Sequence, residues 1–484
     1  MKYTAFGQWC AERATAEFAA ARLREKRFSM WLLLLVTLLS FANRAQGGSD
    51  SALNPSQALQ KFPDPTGEYA TFNTRGSLDP DNPFFQDLGS NERRCVTCHQ
   101  PNDGWTVTPS HLQERFASTA GRDPIFRTND GSNSPNVDVS SLNARRSAYS
   151  MLLNKGLIRV GLPIPEKAEF SLSEVDDPYG FASAKELSLF RRPLPAANLP
   201  FLTTVMWDGR ETFPGMSIQD DLMHQANAAT EGHAQAVRPL TKKQREAIMQ
   251  FETASYLAQV IDHEAGDLRA EGAHGGPVNL SKQNFFIGIN DPLGQNPTGK
   301  EFDRRVFSLF DNWASPHQIE QYVATRRSIV RGQRLFSMRN FKITGVRGLN
   351  DLLGKTTIVA NCSLCHDTPN VGNHSVAVPL DIGLTDVARR TPDLPLYTLQ
   401  CNSGPFTGQV FKTTDPGRAL VTGKCADIGK FKGPILRGLA ARAPYFHNGS
   451  AANLQDVVQF YNKRFKIGLD QDEIQDLVHF LQSL

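Results

Sequence analysis

Cys95-Val96-Thr97-Cys98-His99 and Cys362-Ser363-Leu364-Cys365-His366 are two copies of one five-residue pattern, set 267 positions apart in a chain of 484 residues. Cys-x-x-Cys-His is the attachment signature of a c-type haem. Both thiols add across the vinyl groups of the porphyrin, and the adjoining histidine becomes the proximal ligand of the iron. Zinc is the rival, because Cys-x-x-Cys also opens zinc ribbons. A zinc site does not require a histidine directly after each pair, here His99 and His366, and it favours pairs that lie closer together. The pattern therefore predicts two covalent haems c. The expected fold is mainly α, with two cytochrome c-type haem domains packed together, long loops and little strand.

Away from the motifs the composition is that of a globular protein, 40 % hydrophobic and 21 % charged, with no acidic or basic tail to suggest nucleic acid. The N-terminus stands apart. Residues 30–42, MWLLLLVTLLSFA, form a 13-residue apolar run behind a leader with scattered Arg and Lys. Such a run is short for a membrane span and fits the core of a secretory signal over residues 1–45, cleaved near Ala42 or Ala45. An uncleaved anchor is the alternative. Cleavage after Ala45 removes seven basic and three acidic residues, so 45 Lys+Arg would face 46 Asp+Glu, a net charge of −1 with no stable membrane span left. Because haem is attached outside the bacterial cytoplasm, the periplasm is the expected location. Of seven cysteines, Cys10 lies in the leader, four serve the haems, and Cys401 and Cys425 remain. In an oxidising compartment these two are expected to pair, two buried thiols being the alternative.

Residues 46–90 are rich in Pro, Gly, Asn and Asp and read as an extended arm with little regular structure. Thr241 opens TKKQREAIMQFETASYLAQVI, with Gln244 placed for a capping box and Ile248, Phe251, Ala254 and Leu257 at helical spacing. Residues 265–300 read as a loop-like insertion. From 326, RRSIVRGQRLFSMRN reads as the helix leading into the second motif. Leu454, Val457, Val458 and Tyr461 share one helical face, and Ile474, Leu477, Val478 and Leu481 mark a closing amphipathic helix. The division expected is a first haem domain over 46–325 and a second over 326–484.

Three further stretches carry a resemblance. KGPILRGLAARAPYFHNGSAANLQDVVQFY (432–461), TVMWDGRET (204–212) and, more weakly, DDLMHQANAATEGHAQ (220–235) resemble the bacterial di-haem cytochrome c peroxidases, a family that includes the MauG-type enzymes. The resemblance implies an N-terminal haem that meets peroxide above His99 and a C-terminal haem that relays electrons. It implies that Trp207 lies between the two and carries oxidising equivalents. Glu231 matches the family's distal glutamate, the group that moves a proton between the two oxygens of H2O2 before their bond breaks. Where the family places a glutamine ten residues earlier this chain has Asp221, and Gln219 or Gln225 would serve only if the loop shifts. His224 is a further candidate near this site. His111, 12 residues after His99, could cap the first iron, though no family motif supports it.

Tyr461 matches the sixth-ligand position of the second haem, a methionine in the peroxidases and a tyrosine in MauG-type enzymes. Read from the residues alone, it is a buried phenol in need of a hydrogen bond or a metal. As a ligand beside His366 it would lower that haem's potential. His447 would lie near the second haem without ligating it. The family's interdomain calcium uses an asparagine where this chain has Arg192, so calcium is disfavoured. The implied activity is reduction of H2O2 with electrons from a small cytochrome or cupredoxin. Oxidation of a partner protein's side chains and simple electron carriage by two closed haems are the alternatives.

Overall fold

The segment read as one helix from Thr241 to Ile261 is a helix followed at once by a strand, and that switch sets the character of the fold. In this computed structural model, which describes residues 58–314 and 319–484, six helices have ten or more residues. They are α1 (Pro109–Thr119), α2 (Ile218–Gly232), α3 (Lys242–Ala254), α4 (Val323–Met338), α5 (Leu454–Phe465) and α6 (Gln471–Gln482). Eleven strands accompany them: β1 (Leu59–Asp64), β2 (Gly67–Asn73), β3 (Ile158–Leu162), β4 (Phe170–Asp176), β5 (Leu187–Arg191), β6 (Ser255–Asp262), β7 (Gly266–Asp267), β8 (Phe341–Thr344), β9 (Thr357–Ala360), β10 (Leu396–Cys401) and β11 (Val410–Thr413). The expected "mainly α, little strand" is thus corrected to a mixed fold. The secretory leader over 1–45 lies outside the described residues.

The capping box at Thr241 is present, with the Gln244 N–H donating to Thr241 Oγ1 at 3.3 Å and the Thr241 N–H to Gln244 Oε1 at 2.9 Å. The helix stops after Ala254 because the Ser255 hydroxyl turns back onto Phe251 O at 2.9 Å and the chain runs on as a β-rich stretch, SYLAQVID. β6 then pairs antiparallel with β2, from Gly67↔Asp262 to Asn73↔Ser255. β2 in turn pairs with β1, so most of the described part of the expected arm is a hairpin. Its prolines concealed it. Pro63 lies on β1, an edge strand, where a missing N–H costs no ladder bond. Asp64 tightens the turn by accepting from the Thr66 N–H at 2.7 Å, and Gly67 lets β6 approach, since a Cβ there would lie 2.1 Å from Ile261 O.

A second sheet has the order β11-β10-β4, with Leu396 opposite Asp176. Its strands are short and their partners lie about 220 residues apart, so no local pattern announces the pairing. Beneath it Cys401 and Cys425 form a disulfide (S–S 2.04 Å) within a cluster that includes Leu189, Tyr397 and Leu399. Two-stranded sheets β3-β5 and β8-β9 complete the set.

The C-terminal helices follow their sequence pattern. Asn453 caps α5 and Asp470 caps α6, and Ile474, Leu477, Val478 and Leu481 all enter a core with Leu454, Val458 and Phe336. α4 crosses α6 closely at Gly332, where a Cβ would meet Asp476 O at 2.0 Å. That approach is tied down by Arg331, whose guanidinium donates to both carboxylate oxygens of Asp476 at 2.6 and 2.7 Å. The stretch 265–300 is loop-like as read, apart from β7 and the one-turn helix Pro277–Leu280. Among the described residues no helix is long and apolar enough to cross a membrane.

Candidate di-haem site

Both motifs fold into a tight turn that presents the histidine. Cys95–Cys98 is a single helical turn, and the His99 N–H closes it onto Cys95 O at 3.0 Å. Cys362–Leu364 is a 3₁₀ turn capped by Asn361, and the His366 N–H closes it onto Cys362 O at 3.0 Å. In each case the imidazole Nδ1 then donates to a backbone carbonyl six residues on, Trp105 O at 3.2 Å and Gly372 O at 2.6 Å. That bond fixes the tautomer and leaves Nε2 free to bind iron. Burial pushes both imidazoles down to about 4, so they are neutral and fit to ligate, while it raises the four thiols, three of them to about 12. Among the described residues no three His, Cys, Asp or Glu side chains gather as a zinc site would need.

Each motif opens on its own cavity. The first is lined by Cys95, Cys98 and His99 and faced by α2 and Glu252. The second is lined by Cys362, Cys365 and His366 and faced by α5 and the 432–447 stretch. Residues 192–195, Trp207, Lys432 and Ile435 line both. Trp207 therefore stands in the shared wall, its indole N–H donating to Arg192 O at 2.8 Å. Behind it Asp208, fully buried, is held ionised near 2: burial opposes this, and Arg191 and Arg210 overcome it.

The shared wall also supplies the test of fit for haem. Arg192, Lys432 and Arg442 are buried cations, and none of them has a carboxylate partner among the described residues. Burial lowers the arginines to about 10 and Lys432 to about 7. An unpaired buried charge is costly unless something anionic meets it. A haem carries two propionates, and these cations line the spaces where such groups would lie. At the position where calcium was disfavoured, the Arg192 guanidinium donates to three carbonyls, Lys155 O at 2.9 Å, Val107 O at 2.7 Å and Arg442 O at 3.2 Å.

The remaining sequence candidates separate clearly. Tyr461 lines the second cavity with its hydroxyl making no hydrogen bond among the described residues; burial, then Cys365 and Cys362, raises its pKa well above the usual range. His447 lines the same cavity, stacked on Phe431 at 4.1 Å with both ring nitrogens unpartnered. Glu231 does not line the first cavity; it is exposed near the end of α2. Asp221 is buried off the cavity, accepting from the Phe213 N–H at 3.1 Å. His224 is exposed and pairs with Glu211, Gln219 is exposed, and His111 pairs with Asp103. Of the distal candidates, only Gln225 lines the cavity.

Two groups went unread. His233 lines the first cavity eight residues beyond Gln225, two helical turns that put both on one face, so the spacing was there to be read. Its partner Asp130 lies 103 positions away and left no sequence signal. Glu252 is fully buried on α3, and burial pushes it up to about 8.

Two c-type attachment turns, each heading a cavity, with a tryptophan in the wall between, define the class as a di-haem c protein. No family model matches the chain. It is 32 % identical to the cytochrome-c peroxidase IdrP1 of Pseudomonas sp. strain SCT over 142 residues, 26 % of this chain and 36 % of that protein. It is 27 % identical to the cytochrome c551 peroxidase of Pseudomonas aeruginosa over 243 residues, 48 % of this chain and 62 % of that protein. A solved MauG-like protein associated with microbial copper homeostasis aligns over 77 % of this chain and 88 % of that one, at 16 % identity and a TM-score of 0.32. The chain belongs with the bacterial cytochrome c peroxidases. The matched stretches span from about a third to three fifths of those two peroxidases' own lengths.

Proposed function

We propose that this chain is a periplasmic di-haem c peroxidase-like oxidoreductase that reduces H2O2 at the first cavity with electrons relayed from the second. The observation that carries the reading is Trp207, one side chain in the common wall of two cavities that each begin at a Cys-x-x-Cys-His turn. Cys95, Cys98 and His99 would hold one haem c, and Cys362, Cys365, His366 and Tyr461 the other. Bound there, the haems supply the redox-active iron that takes up and passes on electrons.

The chain's own groups do the rest. His99 and His366 are aimed by their carbonyl partners. Arg192, Lys432 and Arg442 compensate the propionates. Trp207, pinned through its indole N–H, bridges the wall as an oxidisable ring. The unpartnered Tyr461 hydroxyl is a hard oxygen donor that disfavours the reduced state of the second site. Peroxide is expected to react with the fully oxidised protein, without prior reduction. The electron donor is a small soluble cytochrome or cupredoxin; oxidation of a partner protein's side chains is the second reading, favoured by tyrosine rather than methionine at position 461. The domain reading, 46–325 about the first haem and 326–484 about the second, stands with this proposal, as does secretion through residues 1–45.

The test is stopped-flow mixing of the fully oxidised holoprotein with H2O2, followed by turnover with a reduced small cytochrome. Inertness until half-reduction would remove Tyr461 from the ligand set. Absence of turnover with every soluble donor would favour a protein substrate.

A further inference from the structure

We propose that His233, positioned by Asp130, is the proton relay at the first cavity, and that Glu231 takes no part in it. This deepens the peroxidase reading and rests on it. His233 follows the last residue of α2, its N–H donating to Ala229 O at 2.8 Å, so that Gln225, Ala229 and His233 fall on one face toward the cavity. Glu231, two residues earlier, falls on the solvent side.

The ring is fixed from behind. His233 Nδ1 lies 2.5 Å from Asp130 Oδ2, and the other carboxylate oxygen of Asp130 takes the Arg93 guanidinium. Arg93 is itself tied to Pro124 O at 2.8 Å, Ile125 O at 2.7 Å and His233 O at 3.2 Å. Burial alone would raise Asp130, but Arg93 and His233 outweigh it and hold the carboxylate ionised. An ionised Asp130 makes Nδ1 the donor and leaves Nε2 as the free base. His233 also lies near enough to His99 for its charge to lower that imidazole, after burial has done so. A base with one nitrogen anchored and the other open at a reaction cavity is the arrangement general acid–base transfer requires.

In the step proposed, Nε2 takes the proton from one oxygen of H2O2 and returns it to the other. The O–O bond breaks, an O–H bond forms on the departing oxygen, and water leaves. Two electrons from the donor and two protons from solvent complete the reduction to two waters.

The experiment uses the full-length holoprotein and three variants, His233→Gln, Asp130→Asn and Glu231→Gln, each checked for haem content. Two readouts are taken: peroxide turnover with an oxidisable dye, and spectral titration with cyanide, whose conjugate acid must give up a proton before the anion binds. His233→Gln should slow turnover by ~100-fold or more and weaken cyanide binding by ~10-fold. Asp130→Asn keeps the shape of the contact but reverses its donor, so it should weaken cyanide binding in the same direction at unchanged melting temperature. Glu231→Gln should match wild type in both. Wild-type behaviour of His233→Gln in both readouts overturns the proposal, and so does loss of activity in Glu231→Gln. A low-spin EPR signal of the first haem that turns high-spin in His233→Gln overturns it too, since His233 would then be a ligand. Should His233→Gln bind less haem, His233→Asn replaces it. If wild type turns over no peroxide, the peroxidase reading fails and the cyanide titration still judges His233.

Discussion

The two cavities begin alike and end differently. Each starts from a Cys-x-x-Cys-His turn, and each histidine gives its Nδ1 proton to the carbonyl six residues later, Trp105 in one and Gly372 in the other. The opposite walls share nothing. The first is closed by α2 and presents an imidazole backed by a buried carboxylate and guanidinium. The second is closed by α5 and presents an unpartnered phenol among aromatic rings, with Phe446, Phe460 and Phe465 against Tyr461. A local motif thus decides how a haem is held, and remote helices decide what it meets on its other face. Chemistry at one face and closure at the other follow from that division.

The largest effect should come from removing one attachment turn. Cys95→Ala with Cys98→Ala should leave one covalent haem by pyridine haemochrome assay, and Cys362→Ala with Cys365→Ala likewise. Two covalent haems in either double variant would end the comparison at its root.

Next in size is Tyr461→Phe, which removes only the phenol oxygen. It should turn the second haem's EPR signal from low-spin to high-spin, leave the first unchanged, and raise the second's midpoint potential on the order of 100 mV, well inside the ~0.8 V that axial ligands span. An unchanged spectrum would make Tyr461 a core residue and the two cavities functionally alike.

The disulfide lies outside both cavities. Cys401→Ser with Cys425→Ser opens a loop of 24-residue separation and should cost ~3 kcal/mol in chemical denaturation, with both haem spectra unchanged. Spectral change at the second haem would show that the β11-β10-β4 sheet helps shape that cavity.

The smallest effects are opposite in sign. Glu252 has its pKa raised by burial from 4.5 to about 8, so the folded protein holds an extra proton between those values and stability falls as pH rises through that window. His447 is lowered from 6.5 to about 4, by burial first, so the unfolded chain holds the extra proton there and stability falls as pH drops through that window. Melting curves of Glu252→Gln at pH 8 and His447→Phe at pH 4.5 should each show ~2 kcal/mol of gain over wild type. Gains at the same end of the pH scale would show that these groups do not titrate as their surroundings dictate.

How much was legible depended on distance along the chain. The attachment turns, the caps at Thr241, Asn453 and Asp470, and the apolar faces of α5 and α6 rest on contacts within about five residues, and the sequence displays such contacts directly. Tyr461 shared that advantage, because helical spacing alone turned it inward. Glu231 shows the limit. A motif aligned by counting gave a carboxylate of suitable chemistry, but one helical residue is a rotation of 100°, and two residues' difference moves a side chain from solvent to cavity. Strands such as β4 and β10 were missed because each is short and its partner is hundreds of residues away.

By itself, then, the sequence determined that two haems are bound, where each is attached, and which histidine faces each iron, since covalent chemistry and one-turn geometry are local. Only the tertiary structure decided which side chains face those irons from across the cavity, that Trp207 stands in both walls, and that Asp130 reaches His233. Those depend on the packing of segments a hundred or more residues apart, and packing is settled by the whole core at once.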